Sequence, residues 1–368
     1  MKILFLTSAH ASNDDRIYYL QAKTLSENHE IKIFSTFGGE SLAKGNLILE
    51  YNKTHYSSRK EKISAFYNQC IAYNPDVIIC SEPLPILGAH RFVKQKKSCR
   101  LLYDITEFYP SKKNLSHFSI FKKLFLAAGM VWLNRKAAGM VDGFIFGEHY
   151  KSLYYRANFK NKPFIHLPYY QDLKFFPDFS IAPNKLTFGY TGKFSEEKGI
   201  IRFAYFLKFF KEKNPDTFFS VKLIGRFENE MVRNQFLSLT DGIEIEFIEN
   251  LPFESYCKSL SDISIFFDLR DVDAENNLCL PIKLFTYAAI GRPMIYSPIQ
   301  AIQYAHPDQD FIKLCKKEDF SCMNETVLDW ISSEDLYAGL CKQSRNFAEK
   351  HQWDAIKEDF IRFVTENE

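Results

Sequence analysis

Short apolar runs recur along the first half of the chain, at residues 3–6, 31–34, 77–80, 101–103 and 144–146. Runs this short and this continuously apolar suit strands buried on both faces of a sheet. Between them, residues 17–25 and 63–73 place apolar side chains at helical spacing. Strand and helix in alternation predict a mostly parallel, doubly wound sheet. The pattern pauses between Leu167 and Lys185, where Pro168, Pro177 and Pro183 interrupt a polar and aromatic stretch without a period. Such a stretch reads as a domain boundary. The pattern then restarts, with strands expected at 186–190, 218–224, 243–247, 263–267 and 293–296 and helices at 200–210, 228–237 and 282–289. The expected architecture is α/β, with Rossmann-like domains over 1–166 and 186–350 joined by a linker over 167–185. Residues 351–368 form a C-terminal tail whose segment 353–364 is periodic enough for a helix, and pattern alone leaves open which domain it packs on.

The length of 368 residues agrees with that division, because it exceeds what one hydrophobic core usually organises. A near-balanced charge of +2 lacks the concentrated basic excess of nucleic-acid binders, so no nucleic-acid partner is expected. The eight cysteines form no C-x-x-C pair and no close Cys/His group of the kind zinc sites use. They read as buried or free thiols of a reducing cytoplasm. The N-terminal run MKILFLT is too short for a signal peptide and reads as a first buried strand. Residues 124–133, flanked by Lys122, Lys123, Arg135 and Lys136, fall short of the ~20 apolar residues that span a bilayer. A helix there, carrying Phe125 and Trp132, suits either a core face or peripheral contact with the inner face of a membrane.

Two segments carry candidate chemistry. Residues 188–200, FGYTGKFSEEKGI, run from an apolar strand through a glycine turn to the start of a helix, with Lys193 and Lys198 on the way. Backbone N–H groups and two ammonium groups can converge there on one anion such as a diphosphate. On this segment alone, a strand-to-helix turn with solvated lysines fits equally well. Residues 276–293, NNLCLPIKLFTYAAIGRP, place Pro281 in a first helical turn and Gly291 just past the helix end. The N-terminus of that helix would favour a phosphate-bearing ligand, although a purely structural helix has the same form.

Together the two segments resemble the GT-B-fold retaining glycosyltransferases of family 4. In that group a strand ends in Gly-Arg or Gly-Lys, a Lys-Gly follows, and a P-x-K-L-F-E-Y-x-x-x-G-x-P helix comes later. Thr7-Ser8-Ala9-His10 with Asp14-Asp15-Arg16-Ile17 resembles the H-x-x-x-D-x-R-I opening of one bacterial branch. Tyr103-Asp104-Ile105-Thr106-Glu107-Phe108-Tyr109-Pro110 resembles its Y-D-V-H-E-x-Y-P stretch. Ile224-Gly225-Arg226, Glu249-Asn250-Leu251-Pro252 and Trp353 follow in the expected order.

The resemblance implies two Rossmann-like domains facing a central cleft, with a sugar nucleotide as co-substrate and neither a separate cofactor nor a metal. It makes Lys193 and Lys198 the clamp on the donor diphosphate, beside Gly192, and puts Asn277 and Leu278 near the donor sugar. Arg226 and Leu251 would lie beside the base and Thr286 beside the ribose. His10, Asp15, Arg16, Asp104 and Glu107 would serve the acceptor side, with His10 and Glu107 as candidates for direct roles in the chemistry. His10 can instead shape the phosphate or acceptor pocket, and Asp15 with Arg16 can be an ordinary pair at a helix start. The implied reaction is transfer of a hexose with retention from a UDP- or GDP-sugar to a saccharide or lipid-linked saccharide, in surface polysaccharide or lipopolysaccharide synthesis. The sequence departs from the pattern at Thr286 and Leu278, where the family has glutamates, and at Thr106, where it has histidine. The branch often lacks the glutamate at Leu278, so it is Thr286 and Thr106 that favour, as the alternative, a protein that binds a sugar nucleotide without turning it over. A sugar-nucleotide epimerase would need acidic and histidine residues that have no clear place here. Asp271-Val272-Asp273 has the form of a metal-binding D-x-D motif, but that motif belongs to a different architecture and a solvated loop is expected.

Overall fold

The computed structural model describes residues 1–52, 54, 56, 58–106, 115, 119–176, 185–249 and 251–366. The chain divides into two compact units, Met1–Tyr169 with Asp354–Glu368, and Tyr170–Trp353.

In the first unit, the apolar runs form strands β1 (Lys2–Thr7), β2 (Glu30–Ser35), β3 (Leu42–Lys44), β4 (Leu47–Tyr51), β5 (Val77–Cys80), β6 (Arg100–Ile105), β7 (Gly143–Phe146) and β8 (Phe164–His166). Their order across the sheet is β3-β4-β2-β1-β5-β6-β7-β8. All pairs are parallel except β3 with β4. Parallel strands need crossovers, and except between β2 and β4, where β3 intervenes, these are helices: α1 (Asp15–Ala22 in wide π-type turns, continuing as Lys23–Ser26), α2 (Arg59–Tyr73), α3 (Pro83–Val93), α4 (Ile120–Met140) and α5 (His149–Asn158). The prolines that open α3 sit in its first turn, where a missing N–H is harmless.

The second unit repeats the plan with β9 (Thr187–Phe194), β10 (Ser220–Phe227), β11 (Glu244–Ile248), β12 (Ile265–Asp268), β13 (Met294–Tyr296) and β14 (Ile312–Leu314), all parallel, in the order β11-β10-β9-β12-β13-β14. Its helices are α6 (Ile200–Lys213), α7 (Glu230–Leu239), α8 (Phe253–Ser259), α9 (Ile282–Ala289), α10 (Gln300–Ala305), α11 (Phe320–Trp330) and α12 (Glu334–Lys350). Its core is unusually aromatic: Phe188, Phe203, Phe206, Phe210 and Phe267 are all buried, with ring centroids of neighbours 5.0–5.9 Å apart. Burying such side chains contributes roughly 1.5–3 kcal/mol each.

The final helix, α13 (Lys357–Thr365), belongs to the first unit. Arg100 at the start of β6 donates to the carbonyls of Val364 at 3.2 Å and Glu366 at 2.5 Å, which fixes that end of the chain. The strands absent from the sequence pattern, β3, β4, β8 and β14, are three to five residues long and lie at or next to sheet edges. Half-exposed edges leave little periodic signal.

Candidate functional site

Each sheet reverses its strand order once, between β1 and β5 in the first unit and between β9 and β12 in the second. At such a point the crossovers leave to opposite faces, and the carboxyl ends of the two strands border a crevice. Some of the residues singled out by sequence follow these strands: His10 comes after β1, and Gly192, Lys193 and Lys198 lie at or just after the end of β9.

In the second unit, β9 does not end in a glycine turn as the sequence suggested but continues through Gly192 and Lys193 to Phe194, because these residues stay paired with β10. Gly192 has φ +96 and Gly225, its partner across β10, has φ +149. A Cβ on Gly225 would lie 1.8 Å from the carbonyl oxygen of Gly192, so only glycine lets the two strand ends approach. Gly199, at φ +88, allows the start of α6 to press against the carbonyl of Leu269, 1.9 Å from where its Cβ would be. These approaches draw β9, α6 and the loop after β12 together. The Lys198 ammonium accordingly donates to Asn276 Oδ1 at 3.1 Å and pairs with Glu197 at 3.2 Å. Burial pushes the Glu197 carboxyl up, but Lys198 and Asn276 outweigh it and hold it below the usual carboxylate range.

Lys193 is exposed and pairs with Glu228, and its strand neighbour Arg226 is exposed as well. Leu251 is half-buried in the segment ahead of α8. Asn277 caps α10, accepting from the amide of Gln300 at 2.8 Å, and Leu278 closes the same short turn. Thr286 is 5% exposed, and its hydroxyl donates back to the Ile282 carbonyl at 3.4 Å. Asp271 pairs with Arg202, while Asp273 accepts from the amides of Glu275 and Asn276, both at 2.9 Å.

Sequence reasoning did not single out the group beneath Gly192. Asp268, at the end of β12, holds Arg270 in a two-pronged contact of 2.8 and 2.5 Å, and the Lys283 ammonium lies 3.4 Å from the same carboxylate. Burial works against the Asp268 anion, yet its two cations dominate and hold its carboxyl far below the ordinary value. A Cβ on Gly192 would fall 3.6 Å from the Lys283 ammonium. Lys283 stood in the quoted P-I-K-L-F run; Asp268 and Arg270 carried no signal beyond ending an apolar strand.

In the first unit, the His10 ring is held from both sides. Nδ1 lies 3.0 Å from Asp14 Oδ2, and Nε2 lies 3.3 Å from the Thr106 hydroxyl and 3.7 Å from Glu82 Oε1. Asp14 also caps α1, accepting from the amides of Arg16 and Ile17 at 3.0 Å each. Burial raises the Asp14 carboxyl, but His10 and these amides bring it below the usual range. Glu82, at the end of β5, accepts from the Thr7 hydroxyl at 2.9 Å and the Ser8 amide at 2.7 Å, and its burial pushes its carboxyl up. Glu82 is the partner that sequence reasoning missed, while Asp14 stood in the quoted opening motif without an assigned role.

Arg16 and Asp104 face each other rather than an open surface. They are 6% and 0% exposed, joined by bonds of 3.2 and 3.1 Å, and Arg16 also donates to the Leu167 carbonyl at 2.9 Å. The pairing of Arg16 is therefore with Asp104, not with Asp15, which is exposed. Glu107 lies outside the described residues.

Two doubly wound parallel-sheet units with these strand orders make up the GT-B fold of glycosyltransferases, and solved structures of that fold match the chain over its whole length. The sucrose-phosphate synthase of Thermosynechococcus elongatus superposes with a TM-score of 0.73 at 12% identity, covering 99% of this chain and 98% of that one. WaaG, a glycosyltransferase involved in lipopolysaccharide biosynthesis, gives 0.72 at 10% identity over 100% of both chains. Anabaena Alr3699/HepE in complex with UDP gives 0.71 at 11% identity, covering 99% of this chain and 100% of that one. No family model and no curated protein sequence matches the chain.

Proposed function

We propose that the protein is a retaining glycosyltransferase of the family 4 kind, moving a hexose from a UDP- or GDP-sugar to a saccharide or lipid-linked saccharide. The observation that carries this reading is the grouping of Gly192, Lys198 and Asn276 at the carboxyl ends of β9 and β12, beside the strand-order reversal. Doubly wound sheets bind nucleotides at that point. Lys193 and Lys198 neutralise the diphosphate; Arg226 and Leu251 flank the base, Asn277 and Leu278 the sugar, and Thr286 the ribose side. As the bond from sugar to phosphate breaks, negative charge grows on the leaving diphosphate and the sugar takes on oxocarbenium character. Fixed lysines act on the leaving group, and no divalent metal is needed for that role. His10 orients an acceptor hydroxyl in this reading, which its fixed ring, held by Asp14, Thr106 and Glu82, supports. HepE, solved in complex with UDP, supports a UDP-sugar donor here, and WaaG, involved in lipopolysaccharide biosynthesis, supports a surface-glycan acceptor. The exposed aromatic and basic face of α4 supports peripheral contact with an anionic membrane, where a lipid-linked acceptor would reside.

The test is a screen of sugar nucleotides for heat stabilisation, followed by transfer assays with the best donor. Ligand at a hundred times its dissociation constant adds ~2.7 kcal/mol to stability, a visible shift in melting temperature. Transfer should survive EDTA, and the anomeric proton of the product should show the donor's configuration. Inversion or dependence on added metal would overturn the mechanism; binding without transfer to any acceptor tried favours the non-catalytic reading.

A further inference from the structure

Lys283 is placed where protein stability alone would not put a cation. It is the second residue of α9, at the positive end of that helix, where cations are disfavoured. Its ammonium shares the single carboxylate of Asp268 with Arg270, so this small group carries two positive charges and one negative. The charged groups that act most strongly on Lys283 are Asp268, Arg270 and Lys198, only the first of them acidic. Burial pushes its ammonium down toward the neutral form, and Arg270 and Lys198 add to that, while Asp268 opposes it. The side chain keeps a fifth of its surface exposed (21%). Above it lies Gly192, exposed and without a side chain, where even a Cβ would come within 3.3 Å of the Lys283 stem. The ammonium also lies 5.1 Å from the centroid of the Tyr190 ring, so its partners are one shared carboxylate and a neutral ring face, with access past a bare glycine. An anion there would relieve the helix end, the guanidinium and the ammonium at once.

Resting on the donor reading above, we propose that Lys283 is a further catalytic residue, which binds the diphosphate of the nucleotide donor beneath Gly192 and neutralises the charge that grows on it as the sugar departs. Asp268 and Arg270 are positioning residues: the two-pronged pair fixes the carboxylate, and the carboxylate fixes the ammonium.

Calorimetry of UDP, GDP, UMP and GMP on the full chain, with Lys283→Met, Lys283→Arg and Lys198→Ala, separates the outcomes. Lys283→Met should lower diphosphate affinity about tenfold or more, the equivalent of one charge-assisted contact. Monophosphate affinity should change less than about threefold, well under the effect of one such contact. Lys283→Arg should restore most of the loss. The ligand-free melting temperature of Lys283→Met should equal or exceed that of the wild type, because Arg270 still pairs Asp268. Wild-type diphosphate affinity in Lys283→Met, with a loss in Lys198→Ala, would overturn the proposal and leave the donor reading standing. No binding of UDP or GDP by the wild type would overturn both. If Lys283→Met melts early, Lys283→Arg decides: an equal fall in its affinity for monophosphate and diphosphate makes Lys283 structural and ends the proposal.

Discussion

At the scale of single residues, the two lysines read as a diphosphate clamp differ in what holds them. Lys198 is steered by the neutral Asn276 oxygen and a half-exposed Glu197, whereas Lys193 is exposed and already pairs with Glu228. An anion must compete with Glu228 for Lys193 and with Glu197 for Lys198, but Asn276 also holds Lys198 in place without a charge. Lys198→Ala should therefore weaken UDP or GDP binding about tenfold or more, and Lys193→Ala by less. Glu228→Gln should tighten binding by releasing Lys193. Calorimetry measures all three, and a larger loss in Lys193→Ala than in Lys198→Ala would reverse their roles. The Thr286 hydroxyl donates to the Ile282 carbonyl of its own helix, which gives this buried side chain a local partner.

At the scale of elements, α4 separates two kinds of amphipathic helix. Asn134, Ala137 and Ala138 are buried, while Phe121, Phe125 and Trp132 are 86%, 81% and 61% exposed among Lys122, Arg135 and Lys136. The Lys136 ammonium sits 4.9 Å over the Trp132 ring. No helix among the described residues is long and apolar enough to cross a membrane. An aromatic stripe edged by cations matches the interface of an anionic bilayer. The protein should float with vesicles containing anionic phospholipid and not with purely zwitterionic ones. Phe125→Asp with Trp132→Asp should abolish flotation and leave the melting temperature unchanged; equal flotation of that variant would remove α4 from the contact.

At the scale of the whole molecule, acid sensitivity has an identifiable source in the second unit. Burial drives the His306 ring down to about 4, with His351 adding to the effect, and burial lowers His351 as well. The two rings lie 4.9 Å apart against Phe347. A histidine kept neutral by folding binds fewer protons than in the unfolded chain, whose value is about 6.5. Its stabilising contribution is complete above pH ~6.5 and is lost as pH falls through about 4. Denaturant midpoints should decline across that window, and His306→Phe should flatten the decline; an unchanged slope would place the sensitivity elsewhere. Hydrophobic runs and periodicity alone determined the two doubly wound units, because strands buried on both faces must be continuously apolar. Glycines and a capping proline, which are local requirements, marked the segment with Lys193 and Lys198 and the helix over 282–289. Only tertiary structure decided the partners. His10 meets Glu82 because β1 and β5, far apart in sequence, end side by side at a reversal of strand order, and Asp268 meets Lys283 because the loop after β12 returns the start of α9 to the end of that strand. Likewise Arg16 and Asp104 are 88 residues apart yet become one buried pair. Local pattern records which face a residue presents and not what that face will meet.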